Sequence, residues 1–520
     1  MDNYETILEL AKPLGLYQIV LLIWSQFSLI LISGNMIFMS LGASQPSVLE
    51  DDNRTRIHSS RANTTSSADG GHFHTLSVQY GLIGDRAYLV SWITSVQMVG
   101  VLIGAAVGGR LADAFGRKTV SVGSVVLLSL IGITSGLSPN WFYYMMFRFV
   151  IGCLVGSTIT ATFVLSSEQM VQRYRTLLFI GGWPTGGAVL AVCALLTNNW
   201  IMLNIAINCF GIVPLLLQFL ISESPKWLTQ SGRQGRGTAA MLKIARLNGA
   251  SEENREKIAA LMKDTNKQSG QQKPISYIDL IRHSQYRRHI LPLLFLWMSV
   301  AMVHYAAYNI LVFSSINLAV SSLIPICDRR FKWLGRRWLS LIGWGTFATS
   351  LAVVIVLQQF SQHFIATCVA EFGLGVGKLV WASGELFTAE LFPTRIRNTA
   401  NGIHPANFTN GAVNYDCFIW ALALYFAPEF EYIGQNHKVT WADVTRDPIT
   451  NFATTTATNH SGLCNSFARL GSIGAPLILL LNGRWSNTSS LIFCVISWLN
   501  VFIVARFLPE TKGLPLPEHV

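Results

Sequence analysis

The sequence predicts an all-α polytopic membrane protein of two six-helix halves, and three observations predict it. Of 520 residues, 51% are apolar and only 12% are charged, where a soluble domain carries about 25% charged residues. Apolar windows of spanning length recur along the chain. A set of landmarks in the first half returns in the same order in the second. The balance of 38 basic to 27 acidic residues, net +11, would suggest nucleic acid in a soluble protein. In a chain this apolar it reads as charge sorted across a bilayer.

A spanning helix needs about 20 mainly apolar residues. Such windows fall at Leu16–Ser40, Tyr88–Gly108, Thr119–Leu137, Trp141–Ser166, Thr176–Leu196 and Trp200–Ile221. After a polar gap come Ile290–Ile316, Trp338–Leu357, Phe364–Val380, Phe467–Asn482 and Leu491–Ala505. The first window is too long for a cleavable leader, and its flank (Asp2, Glu5, Glu9, Lys12) is net acidic. The expected organisation is a six-helix half over 1–221, a basic central loop over 222–289, and a second half over 290–520.

Charge gives the sidedness. The 222–289 gap holds 13 Lys/Arg against 6 Asp/Glu, and Asp328–Arg337 holds five against one. The positive-inside rule makes both cytoplasmic, although long loops count less. The Asp113–Lys118 loop agrees. Loop 41–87 is then outside, and its sequons at Asn53 and Asn63 suit glycosylation there. Seven of the eight cysteines lie in or beside apolar windows, with no disulfide framework or zinc spacing.

The repeat is explicit. Asp113-Ala-Phe-Gly116-Arg117-Lys118 returns as Asp328 followed by Gly335-Arg336-Arg337. Glu168 with Arg173 and Arg175 returns as Glu390 with Arg395 and Arg397. Glu223-Ser-Pro-Lys-Trp-Leu228 at the end of one half matches Glu510 in Pro509-Glu-Thr-Lys-Gly-Leu514 at the end of the other. Two matched halves are the plan of secondary transporters. A carboxylate followed by arginines at a cytoplasmic helix end can pair with the adjacent basic loop, as a conformational latch or as a static anchor.

Gly109-Arg-Leu-Ala-Asp-Ala-Phe-Gly-Arg-Lys118 resembles the loop 2–3 signature of the major facilitator superfamily. Glu223-Ser-Pro-Lys-Trp-Leu, Thr388-Ala-Glu-Leu-Phe-Pro-Thr-Arg-Ile-Arg-Asn-Thr399 and Leu508-Pro-Glu-Thr-Lys-Gly-Leu-Pro-Leu-Pro517 narrow the likeness. Together they resemble the organic cation/anion/carnitine transporter family, from about Leu16 to the C-terminus. The resemblance implies the major facilitator fold, with twelve helices around a central site that opens to each side in turn. Ala114 departs from it, where the family usually has Arg or Lys.

The repeat also measures the chain. Gly116 to Glu168 spans 52 residues and Gly335 to Glu390 spans 55. Glu168 to Glu223 spans 55, but Glu390 to Glu510 spans 120. Removing 401–460 joins Asn-Thr-Ala400 to Ser461-Gly-Leu-Cys-Asn-Ser-Phe-Ala-Arg-Leu-Gly471, as the family reads. The segment is either a lineage-specific loop or translated non-coding sequence. Conversely, only 38 residues separate His289 from Asp328. Two spans and a turn need more than about 40, so the eighth span is expected to be truncated around 317–327.

Ionisable residues inside spans are functional candidates by default. Arg148 lies eight positions into the fourth span, and Glu371 is its repeat counterpart by distance. Glu371 and Lys378 are i, i+7 and share a face. With 401–460 removed, Arg469 falls near the midplane of the eleventh span, where transporter sites lie. Its planar fork fits a carboxylate, or pairs structurally with an acid such as Glu371. In the family this position is acidic in organic cation carriers and Arg in anion and carnitine carriers. The resemblance therefore implies an organic anion or a zwitterion such as carnitine. His304, Tyr305 and Tyr308 offer rings for a quaternary ammonium. Gln26, Asn35, Asn204, Asn208 and Trp183 are weaker candidates.

No nucleotide loop, nucleophile or metal pattern points to a pump or an enzyme. No cofactor is implied, and Na+ or H+ coupling stays open. The expected partners are a small organic ion and the lipid bilayer, with no nucleic acid and no indication of oligomeric state. A multi-pass carrier, expected at the plasma membrane, is the first reading. A sugar-porter-like facilitative carrier and a non-transporting paralogue are the alternatives.

Overall fold

The computed structural model describes residues 3–44, 73–171, 174, 182–264, 284–304, 320, 335–360, 362–377, 379–381, 383–384, 387, 463–480 and 488–510. Those residues are helical almost throughout. Asn53, Asn63, Arg173, Arg175, Tyr305, Tyr308, Asp328, Lys378, Glu390, Arg395 and Arg397 lie outside them, as do segments 401–460 and 321–327.

A short α1 (Asn3–Leu10) precedes α2 (Leu16–Gly42). After α3 (Leu76–Gln79) come α4 (Tyr88–Phe115), α5 (Arg117–Ser135), α6 (Trp141–Glu168), α7 (Gly182–Leu196), and α8 (Trp200–Cys209) with α9 (Ile212–Leu217). The central segment forms α10 (Pro225–Gln230), α11 (Gln234–Leu247) and α12 (Glu252–Asp264). The second half has α13 (Ser284–His304), α14 (Arg336–Gln359), α15 (His363–Val376), α16 (Leu463–Leu480) and α17 (Thr488–Phe507). Eight helices among the described residues are long and apolar enough to cross a membrane, and three further apolar helices are shorter.

Several boundaries differ from the hydropathy windows, each for a local reason. Helix α4 runs seven residues past Gly108, so the expected Asp113–Lys118 loop is helix on both sides of a one-residue turn. Gly116 makes that turn at φ +112, a conformation few side-chain-bearing residues adopt. The sixth window breaks at Phe210–Gly211 into α8 and α9. Asn140 starts α6 by accepting from the Phe142 and Tyr143 amides at 3.0 and 3.1 Å, and Asn199 starts α8 by accepting from Ile201 at 2.9 Å. These caps satisfy amides that a helix start leaves bare.

The first half is held by α4 against α6. A Cβ on Gly100, Gly104 or Gly108 would be driven into Phe149, Cys153 or Ser157, and one on Gly152 or Gly156 into the backbone of Gln97 or Val101. Backbone therefore meets backbone along the whole crossing. This suits a setting in which helices associate by close packing and not by water exclusion.

The loop end between α2 and α4 folds back on the bundle. His74 pairs with the Asn198–Trp200 backbone, and Trp200 donates to Gln79 at 2.7 Å. The Tyr80 ring lies tilted against those of Tyr144 and Trp200, with centroids 6.2 and 6.0 Å away, and its hydroxyl donates to the Ser138 carbonyl at 2.9 Å. Burial pushes the Tyr80 phenol above its ordinary pKa.

In the second half α13 packs on α16 and α17, and α14 on α15 and α17. The halves meet where α16 crosses α4. There the buried Ile473 joins a core cluster made of Leu31, Met98, Val101, Ile151 and their neighbours, and Ser95 donates to its carbonyl at 3.2 Å.

Candidate transport site and the braces around it

The α4/α5 turn carries a charged brace. Arg117 is buried, 2.7 Å from Asp113 and 3.6 Å from Glu168, and it donates to the Ala112 carbonyl at 3.1 Å. Its guanidinium also lies 5.8 Å from the Trp227 ring. Glu168 accepts from Ser224 at 2.5 Å, and Trp227 donates to the Asp113 carbonyl at 2.8 Å. The partners named here belong to the first half or to the segment Ser224–Gln230. These contacts tie α4, α5 and α6 to the segment after α9.

Glu223 has a different task. Its carboxylate accepts from the Lys118 amide at 2.9 Å, at the start of α5. Glu510 does the same for α14, accepting from the Arg336 and Arg337 amides at 2.8 and 3.2 Å. A Cβ at Gly116 would strike Glu223, and one at Gly335 would strike Glu510. Each carboxylate thus sits on a helix N-terminus, where bare amides and the helix dipole favour negative charge. A further matched pair reinforces the repeat. Ser121 and Thr162 hydroxyls lie 2.6 Å apart between α5 and α6. Ser340, five residues after Gly335 as Ser121 is after Gly116, meets Ser383 at 2.5 Å.

In the outer part of the first half, polar side chains converge on one carbonyl. Gln97 donates to the Asn35 carbonyl at 2.9 Å, and Arg148 reaches it at 3.4 Å. Arg148 is fully buried. It donates to Tyr144 at 2.7 Å and lies over the Phe38 ring at 4.3 Å. It has no acidic partner among the described residues, and one of its terminal nitrogens (Nη2) makes no hydrogen bond. Asn35 continues to Asn208 at 3.1 Å, Asn208 to Asn204, and Asn204 to the Gly132 carbonyl at 2.6 Å. Arg148 and three of the weaker amide candidates therefore lie in one interior network. Gln97 and Tyr144, which hydropathy hides inside apolar windows, complete it.

Arg469 is half-buried on α16, the helix that crosses α4. A Cβ on Gly471 would enter the Met298 backbone, so α16 is pressed against α13 beside it. Arg469 is one helical turn before Ile473, the residue that meets Ser95. Its Nε is enclosed without a hydrogen-bond partner, and it makes no ion pair among the described residues, with Glu371 or any other acid. Glu371 is buried on α15. The side chain of His304, the last residue of α13, lies outside the described set, as do Tyr305, Tyr308 and Lys378. Arg148 in the first half and Arg469 in the second thus each lack an acidic partner among the described residues.

The comparisons agree with this architecture. A family model described as sugar (and other) transporter matches residues 43–316, more than half of the chain. Solute carrier family 22 member 6-A of Xenopus laevis is 27% identical over 498 residues, covering 90% of this chain and 76% of that one. Organic anion transporter 3 of Mus musculus is 27% identical and covers 63% of this chain and 64% of its own length. The organic cation transporter protein of Drosophila melanogaster is 24% identical, covering 86% and 74%. Among solved structures, the inward-open xylose transporter XylE from E. coli aligns with TM-score 0.63 at 14% identity, covering 96% of this chain and 98% of that one. The repeated helix-end carboxylates, the paired halves and the family match lead to one conclusion: the chain belongs to the sugar (and other) transporter family, as a multi-pass membrane protein of the major facilitator fold.

Proposed function

We propose that the chain moves small organic ions across the plasma membrane by alternating access, with organic anions or zwitterions such as carnitine preferred over simple cations. The observation that carries this reading is Arg469, whose guanidinium is half-buried where the halves meet and lacks an acidic partner among the described residues. Such a fork binds a carboxylate through two parallel charge-assisted hydrogen bonds. Arg148 is fully buried. Its role in this reading is a fixed positive charge that raises the potential along α4. The named relatives include both anion and cation transporters, so charge preference is the point to test.

The test is uptake of labelled carnitine, an aromatic carboxylate, tetraethylammonium and glucose by cells expressing the chain. A hydrogen-bonded charge contact is worth about 1.5–3 kcal/mol. Arg469→Gln should therefore weaken carboxylate uptake by roughly 10- to 150-fold and leave cell-surface protein unchanged. Movement of glucose or tetraethylammonium alone, insensitive to Arg469→Gln, would overturn the proposal.

A further inference from the structure

We propose that the exposed basic edge of α11, with Lys12 beside it, is a binding surface for anionic phospholipid headgroups of the cytoplasmic leaflet. Helix α11 contains no acidic residue. Arg233, Arg236, Lys243 and Arg246 are all exposed, and none makes an ion pair among the described residues. The next helix behaves differently. On α12, Arg255 pairs with Glu252 at 2.5 Å and Lys257 with Glu253 at 2.6 Å. The hydrogen bond from Lys257 holds the Glu253 carboxyl below its ordinary pKa. Two adjacent helices of similar length thus treat their cations in opposite ways, one neutralised within itself and one left open.

The position of α11 puts that open charge at the membrane. Its first end is tied to the α4/α5 turn, because Arg233 lies 5.5 Å from the Trp227 ring, which hydrogen-bonds the Asp113 carbonyl. Its last end is tied to the start of α2. Asn248 donates to the Ala11 and Lys12 carbonyls at 2.9 and 3.2 Å and accepts from the Tyr17 amide at 3.0 Å. In between, Lys243 lies within electrostatic range of Lys118, at the first turn of α5. The helix therefore runs along the ends of the spanning bundle that the charge distribution assigns to the cytoplasm.

The joint at Asn248 adds a fifth cation. Lys12 is held at φ +64, an uncommon conformation for a side-chain-bearing residue that points to local constraint. Its ammonium is brought beside Gly249, three residues from Arg246. Leu14, Leu16 and Leu247 are exposed around the same joint. Cations edged by apolar side chains match a headgroup with its acyl chains, whereas a soluble phosphate would need only the charge. A cluster of this size next to a spanning helix draws acidic lipid at about 1 kcal/mol per cation.

The full chain, purified in detergent, is titrated with fluorescent phosphatidylserine and phosphatidylcholine. Three forms are compared: native, the triple variant Arg236→Gln, Lys243→Gln, Arg246→Gln, and the control Arg255→Gln, Lys257→Gln. All substitutions lie on exposed or half-exposed side chains, and thermal unfolding checks each fold. The native chain should prefer phosphatidylserine by tenfold or more. The triple variant should lose on the order of a hundredfold in phosphatidylserine affinity, and the control should match the native chain. Glycerophosphoserine, the headgroup without its chains, should compete at least tenfold more weakly than the lipid. Equal lipid preference in the triple variant, equal loss in the control, or full competition by the free headgroup would each overturn the assignment.

Discussion

Replacing Arg117 with Gln should destabilise the first half far more than its position at a helix end suggests. The arginine is 1% exposed and faces two carboxylates, Asp113 at 25% and Glu168 at 11% exposure. Removing one partner from a buried charged group costs about 3–5 kcal/mol, because the other charges remain without compensation. Asp113 keeps part of its hydration, which places the expected loss near the lower bound, about 3 kcal/mol. Thermal unfolding of the purified protein measures it. The same argument makes a second, opposite prediction. Neutralising all three groups together (Arg117→Gln, Asp113→Asn, Glu168→Gln) removes the stranded charges and should recover at least half of the loss. Because the partners named above lie in the first half or in Ser224–Gln230, substrate KM should stay unchanged, with maximal uptake following the amount of folded protein. A single variant within about 0.5 kcal/mol of native, or a triple variant as unstable as the single one, would refute the brace.

Glu223→Gln and Glu510→Gln should cost similar amounts, about 1–2 kcal/mol each, since both lose the charge on a helix N-terminus; unequal losses by thermal unfolding would argue against their equivalence. Asn248→Ala deletes the acceptor for the Tyr17 amide and two N–H donors shared among Ala11, Lys12 and Gln18, the last at 2.8 Å. At about 0.5–1 kcal/mol for each of these three groups, amide exchange over residues 3–17 should accelerate by roughly ten- to 150-fold, read by mass spectrometry. Gly104→Leu should leave almost no folded protein, because even its Cβ enters the Cys153 backbone. Gly123→Ala, which meets nothing within 4 Å in α5, should be neutral or stabilising by up to about 1 kcal/mol; size-exclusion profiles separate these outcomes.

What the sequence shows best is what repeats. The Gly116/Gly335 and Glu223/Glu510 correspondences were legible as landmarks recurring in one order, and in three dimensions each half sets one of these carboxylates on one helix start. Helix existence was equally legible, since apolar length alone marks a span. The precise ends were not. Hydropathy drops at Arg110 and Asp113 although the helix runs on to Phe115, because Asp113 is neutralised by Arg117 from across the turn. Glu168 lies 3.6 Å from Arg117 of the α4/α5 turn. The sequence could not tell whether that contact spans the halves. Arg148 was visible as an ionisable residue in a span. Its enclosure was not, because that depends on Asn35, Phe38 and Gln97 arriving from two other helices. Tyr17, whose hydroxyl donates to Gln169 at 2.5 Å, and Asn248 carry no sequence signal at all, since long-range hydrogen bonds between ordinary polar residues leave no periodicity.

The glycine-lined crossing of α4 and α6 has a mechanical consequence. Most helix pairs slide by letting long side chains hop between rotamers, so that a small shear is absorbed as repacking. Here the facing surface has almost no side chains to hop, and any lateral step would drive one backbone into the other. The pair is therefore stiff against shear and free of side-chain entropy at its seam. It moves as a single plate. A carrier that must expose its centre alternately to two sides gains from such a plate, because force applied at one rim reaches the other without being lost in deformation between them.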